Sequence, residues 1–154
     1  MKKPALKLIG HEAAVKTIVI CKPFSIAISG DADGVCIAWD LNRFCYTRTI
    51  VKHDNAIELI CISETLGDIA TVCQSTSQSD GSMLMVHTIN GDFVGQLTTD
   101  CKITSICYSN SPEGISVNVI ATGFSNGIIK LWSSWDLTLI RVIRADRYEK
   151  PIAW

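Results

Sequence analysis

Apolar residues in this chain fall in short runs rich in Ile, Val and other strand formers, broken by Gly, Asp, Asn, Ser or Pro. No segment shows the spacing of an amphipathic helix. The clearest unit is IAISGDADGVCIAWD, Ile26 to Asp40. Ile26 to Ile28 predicts a strand, Gly30 to Gly34 carries turn chemistry, and Val35 to Trp39 resumes the strand. Val15 to Cys21 predicts a strand before this unit, turned by Lys22-Pro23. Cys45 to Ile50 predicts one after it, turned by Asn42-Arg43.

The unit recurs. VIATGFSNGIIKLWS, Val119 to Ser133, overlays it at an offset of 93 residues, so that Gly30 meets Gly123, Gly34 meets Gly127 and Trp39 meets Trp132. Trp135-Asp136 is out of register with Trp39-Asp40; the matching pair is Trp132-Ser133. A worn copy lies between, with His53 and Thr71 each 42 residues after His11 and Ser29. It carries a polar insertion, Gln74 to Asp80, expected to be a mobile loop, and Val86 or His87 stands where a Trp is due. The copies run from about 6–50, 51–97 and 98–143, with 144–154 starting another. Leu6 to Ile9 is expected as the outer strand of a preceding unit. The middle copy, with fewest marks, is expected to open first.

A period near 42 residues with Gly10-His11 before it and Trp39-Asp40 closing it resembles the WD repeat. That resemblance implies an all-β fold: a partial WD-repeat β-propeller of about three four-stranded blades plus the start of a fourth, fewer than the roughly four to eight that close a ring. It also implies a hydrogen-bonded structural tetrad of His11, Ser29, Asp33 and Trp39. Weaker remnants are expected at His53, Thr71, Thr122, Asn126 and Trp132. The same residue types suggest a Ser-His-Asp triad, but a nucleophile must be exposed beside an oxyanion site, and Ser29 sits mid-strand. Asp31-Ala32-Asp33-Gly34 starts like a calcium loop yet lacks the later Glu, so it reads as a β-turn. Gly34, Gly81 and Gly127 are expected to supply positive φ.

Composition narrows the function. Fourteen basic residues oppose fifteen acidic ones, a net charge of -1, which speaks against a nucleic-acid binder. The seven cysteines form no CxxC pair, and Cys21, Cys36, Cys61 and Cys107 are expected as buried free thiols. No catalytic residue, cofactor or metal site is expected. Lys7 interrupts the apolar N-terminal stretch, so no signal peptide is read there, and no run is long enough for a spanning helix. The expectation is a cytoplasmic protein with no direct membrane insertion.

More specific stretches remain: GDIATVC (Gly67 to Cys73), INGDFVG (Ile89 to Gly95), SNSPEGISVNVIA (Ser109 to Ala121), GIIKLWSSWDL (Gly127 to Leu137) and WDLNRFCY (Trp39 to Tyr46). These resemble the C-terminal WD region of the BEACH family. The resemblance implies a non-catalytic protein-protein interaction scaffold in lysosome and vesicle trafficking, peripheral to those organelles. The alternative is a WD-repeat adaptor subunit of an unrelated assembly, such as a ubiquitin ligase or a coat. Glu12, Asp31, Asp54, Asp80 and Asp100 fall in loops expected at one end of the blades. They form a candidate partner face for a basic segment of another protein or of a neighbouring BEACH module.

Overall fold

The computed structural model describes residues 5–112 and 118–144, with residue 2. Twelve strands follow one another: β1 (Val15–Cys21), β2 (Ile26–Asp31), β3 (Val35–Asp40), β4 (Cys45–Lys52), β5 (Ile57–Ile62), β6 (Ile69–Gln74), β7 (Ser82–His87), β8 (Phe93–Thr98), β9 (Ile103–Tyr108), β10 (Val119–Phe124), β11 (Ile129–Ser133) and β12 (Leu139–Ile143). Among the described residues there is no helix, and therefore none long and apolar enough to cross a membrane. The strands form three antiparallel four-stranded sheets, β1–β4, β5–β8 and β9–β12, each in chain order. This is a partial propeller of three blades.

Alternation along each strand decides how the blades stack. Ile69 and Thr71 point to one side of the middle blade, Ala70 and Val72 to the other. One core forms between the first two blades, where Ile28, Cys36 and Ala38 meet Ile57, Ile60 and Ile69. A second forms between the last two, where Val72, Leu84 and Val86 meet Ile103, Ile120 and Phe124. Each buried aliphatic side chain contributes about 1.5–3 kcal/mol through water exclusion. The middle blade is thus covered on both faces, whereas among the described residues each end blade has one face that no other blade covers.

Several expectations need correction. Residues 6–9 form no strand, because a strand needs a ladder partner and no described segment offers one. The insertion after β6 carries its own hydrogen bonds: the Ser77 and Gln78 amides donate to Ser75 Oγ, and the Gln74 side chain donates to the Ser79 carbonyl at 3.2 Å. Gly34 and Gly127 have φ of +84° and +82°, but Gly81 does not lie in that region. It is there because a Cβ would strike the Thr99 carbonyl. Cys107 is exposed, since its place in β9 faces the uncovered side of the third blade. The expected start of another repeat falls almost wholly outside the described residues.

Burial differs sharply between the middle blade and the outer strand of the third. Ile69, Val72, Leu84 and Val86 are fully buried, whereas every residue of β12 is exposed. Amides of β12 are therefore expected to exchange first and those of β6 last in hydrogen-exchange mass spectrometry. Leu84→Ala should cost about 2–5 kcal/mol in denaturant unfolding; a loss below 1 kcal/mol would place the stabilising core elsewhere.

Candidate functional site

Each blade buries one hydroxyl on its second strand: Ser29 on β2, Thr71 on β6 and Thr122 on β10. A buried hydroxyl is satisfied when it accepts one hydrogen bond and gives one. The three blades meet that requirement in three ways.

In the first blade the Trp39 indole Nε1 donates to Ser29 Oγ at 2.7 Å, and Ser29 Oγ lies 2.6 Å from His11 Nε2. His11 Nδ1 lies 2.6 Å from Asp31 Oδ2. The carboxylate can only accept, which assigns the proton to Nδ1 and leaves Nε2 to accept from Ser29. The relay runs Trp39 to Ser29 to His11 to Asp31. Asp31 Oδ1 also accepts the Asp33 and Val35 amides, both at 2.9 Å, so one carboxylate closes the relay and shapes the turn. Burial alone would raise the Asp31 pKa. The Val35 amide, the His11 ring and the Asp33 amide outweigh it and hold the group below the ordinary value. Trp39 is enclosed by the His11 and Tyr46 rings, at centroid distances of 6.1 and 6.3 Å. Gly10 completes the wall, because a Cβ there would come within 2.8 Å of the indole.

The tetrad carboxylate is therefore Asp31, not Asp33. Asp33 lies exposed in the turn. The physical reason is the two-residue period: Ser29 and Asp31 share a face of β2, while Asp33 lies beyond the strand. The same displacement removes Asn126, whose side chain caps the Ile128 amide and contacts Cys101 Sγ at 3.3 Å, away from Thr122. Phe124 holds the corresponding place in β10.

In the middle blade the place of Asp31 is taken by Cys73, which sequence reasoning did not single out. Its Sγ lies 3.3 Å from His53 Nδ1, and His53 Nε2 lies 2.6 Å from Thr71 Oγ1. Burial raises the Cys73 pKa, so the sulfur is a thiol that donates, and His53 carries its proton on Nε2. Thr71 then gives its own proton to the Met85 carbonyl at 3.5 Å, a weak bond. Burial first, and His87 second, push the His53 pKa down to about 4. His87 pairs across from Ile69 as Trp39 does from Ala27, so His87 rather than Val86 stands in the Trp position. Its ring meets Phe93 edge-on at 5.5 Å, and its buried Nδ1 has no protein partner. In the third blade the Trp132 indole donates to Thr122 Oγ1 at 2.9 Å, and Thr122 donates to the Lys130 carbonyl at 3.3 Å. The Lys130 ammonium lies 5.0 Å from the Phe124 ring centroid and 5.8 Å from that of Trp132.

Strand directions place the loops before β1, β5 and β9, and the turns after β2 and β6, at one end of the arc. Glu12, Asp33, Asp54, Asp80 and Asp100 are exposed there. Asp31, expected among them, is buried and committed to His11. Lys16, Lys52 and Lys102 dilute the acidity, and Lys102 Nζ pairs with Glu58 at 3.3 Å. A cleft of about 360 Å³ opens beside that pair, bordered by Asp80, Ser82 and Ser125. Among the described residues no group of His, Cys, Asp and Glu is arranged to hold a metal ion.

The chain is 47% identical to the lysosomal-trafficking regulator of Homo sapiens over 96% of its own length, and 29% identical to that of Drosophila melanogaster over 86%. It is 30% identical to Beige protein homolog 1 of Schizosaccharomyces pombe over 84%. It spans only 4%, 5% and 5% of those relatives' lengths. No family model matches. Among solved structures it superposes on U3-55K with a TM-score of 0.74 at 12% identity, covering 90% of this chain and 42% of that one. The RRP9 WD40 repeats give the same TM-score and identity, with 41% of that chain covered. The computationally designed Ika4 protein gives 0.69 at 22% identity, covering 92% of this chain and 79% of that one. These likenesses establish the WD40 fold.

Two measurements check the site. Asp31→Asn should lower unfolding free energy by about 1–3 kcal/mol, and Asp33→Asn by less than about 0.5 kcal/mol; equal losses would contradict the assignment. The second uses pH. His53 is neutral when folded, so the unfolded chain takes up its proton first. The stability it contributes is whole above about pH 6.5 and is lost as pH falls to about 4. Denaturant unfolding should show a decline on the order of 2–3 kcal/mol across that window, and His53→Gln should remove most of it.

Proposed function

The chain belongs to the BEACH family as a WD-repeat region, and from that membership we propose that it serves as a non-catalytic protein-interaction scaffold in lysosome and vesicle trafficking. The observation that carries the non-catalytic part is the state of Ser29. Its hydroxyl is buried, takes the Trp39 indole proton and gives its own to His11. A Ser-His-Asp set whose oxygen is enclosed by an indole has no room for a substrate carbonyl. The residues act as a structural bolt that ties the loop before β1 to β2 and β3.

Binding then falls to the exposed surface. The end carrying Glu12, Asp33, Asp54, Asp80 and Asp100 is built from the loops before β1, β5 and β9 and the turns after β2 and β6. A basic segment of a partner, or of a neighbouring BEACH module, is the complement that charge selects. The cleft beside Glu58 and Lys102 offers room for a side chain of that segment.

The test pairs a defined probe with a cellular readout. Titration with a Lys/Arg-rich peptide should give binding that weakens steeply with salt. Asp33→Lys with Asp54→Lys should weaken it about tenfold or more and flatten the salt dependence, leaving the melting temperature near that of the native chain. Overexpressed in cultured cells, the native chain should alter lysosome size and the doubly reversed chain should not. Equal peptide binding by both would exclude the acidic end, and unchanged lysosomes with the native chain would exclude the trafficking role.

A further inference from the structure

An asparagine followed by glycine is open to attack from its own backbone. The next amide nitrogen can reach the side-chain carbonyl carbon, and glycine has no Cβ to obstruct it. The chain has two such pairs, Asn90-Gly91 between β7 and β8 and Asn126-Gly127 between β10 and β11. Their backbones are alike. Gly91 and Gly127 have φ of +89° and +82°, and their amides donate to the Thr88 and Phe124 carbonyls at 2.9 and 3.0 Å. Both asparagines are exposed. The two sites differ at the side chain and at the carbonyl.

Asn126 is held at both ends of its amide. Its Oδ1 accepts the Ile128 amide at 3.1 Å, and its Nδ2 donates to Cys101 Sγ at 3.3 Å. Both bonds resist the side-chain rotation that ring closure requires. The Asn90 side chain makes no hydrogen bond among the described residues, and it borders a cleft of about 220 Å³ in which it can turn. Its carbonyl accepts Arg48 Nη1, which crosses from the first blade, at 2.7 Å. Among the described residues no hydrogen bond reaches the Asn126 carbonyl. When the Gly91 nitrogen loses its proton, peptide resonance shares the negative charge with the Asn90 carbonyl oxygen. A guanidinium donating to that oxygen stabilises the anion, as a donor in an oxyanion hole does. The contact between the blades therefore activates the peptide it holds.

We propose that Asn90 is a site of spontaneous deamidation and isoaspartate formation, activated by Arg48, and that Asn126 is protected from the same reaction. Solvent base takes the Gly91 amide proton, and the nitrogen attacks Asn90 Cγ. A C–N bond forms, the Cγ–Nδ2 bond breaks, and ammonia leaves with a proton from water, which closes a cyclic imide. Water then opens the imide. Attack at Cγ gives aspartate, and attack at the backbone carbonyl carbon gives isoaspartate. Water is the only co-reactant, and nothing is oxidised or reduced. In the isoaspartate product the carbonyl that Arg48 holds has become a free carboxylate. A neutral acceptor at the junction of the first two blades is thereby replaced by a charged one, and the hydrogen bond becomes an ion pair.

Peptide mapping by mass spectrometry of the purified full chain, incubated for weeks at body temperature and constant pH, tests this. In the folded chain Asn90 should convert about fivefold or more faster than Asn126, with isoaspartate among its products. In urea the two rates should converge to within about twofold, since the fold is what separates them. Arg48→Gln should slow conversion of Asn90 about threefold or more at unchanged circular dichroism. The sign of that change is decisive, because loss of a merely structural contact would loosen the turn and speed the reaction. Cys101→Ala should release Asn126 Nδ2 and speed conversion there, leaving Asn90 unchanged. A folded chain in which Asn126 converts as fast as Asn90 overturns the inference, as does Asn90 left intact while the unfolded chain converts. So does an Arg48→Gln chain that converts at the native rate or faster, a Cys101→Ala chain in which Asn126 stays slow, or a difference between the sites that persists in urea.

Discussion

A hydroxyl buried in the middle of a β-sheet has two hydrogen-bonding obligations and no water to meet them. Ser29, Thr71 and Thr122 are in that position, and the marks of the repeat are arranged around them. Leaving such a group unsatisfied costs about 1–3 kcal/mol, a large share of the stability of a small domain. Meeting the obligation with side chains from other strands links those strands. The Trp39–Ser29–His11–Asp31 relay joins the loop before β1 to β2 and β3, and Asp31 extends it into the turn through the Asp33 and Val35 amides.

Blade stacking then rests on the side on which each relay lies. Ser29 and Trp39 share a face with Ile18 and Ile20, and Thr71 shares one with Ile60 and Ile62. That face of the second blade is pressed on Ile28, Cys36 and Ala38 of the first. The polar relay and the apolar contact thus occupy one surface, with the relay at one end of the strands and the aliphatic side chains along the rest. Small residues on the receiving side, such as Gly30 and Ala38, let the next blade approach. Direction follows: every blade has a face that seats and a face that receives.

The fold was legible because the repeat is written in turn chemistry and in strand-length apolar runs, both local properties. The relay was legible at Ser29, His11 and Trp39, whose spacing fits the period. Its carboxylate was not, because Asp31 and Asp33 look alike in a turn and only the alternation from Ser29 separates them. Cys73 escaped notice for a related reason: in an apolar run a cysteine reads as a small hydrophobe. The partition of charge at the loop end was only partly readable. Asp31 turned inward, and Lys16 and Lys52 belong to strand ends that face the same way as the loops. The exposure of Cys107 and the burial of Cys21 depend on which neighbour each blade has, and no local pattern encodes that.

The middle blade shows how one exchange permits another. Asp31 accepts a proton from His11, so His11 must accept from Ser29, and Ser29 then needs a donor. Trp39 is that donor. Cys73 instead gives a proton to His53, which fixes the opposite tautomer, so His53 gives to Thr71 and Thr71 gives to the Met85 carbonyl. Thr71 already accepts from His53 and gives to Met85, so both of its obligations are met without an indole N–H. Replacement of the carboxylate by a thiol therefore removes the need for Trp in the same blade, and His87 fills its place against Phe93. The third blade makes the converse exchange. It has no His on the relay, so the Thr122 proton goes directly to the Lys130 carbonyl, and Trp132 must be kept as donor. What looks like independent wear in two copies is, at the level of donors and acceptors, one requirement met from either side of the hydroxyl.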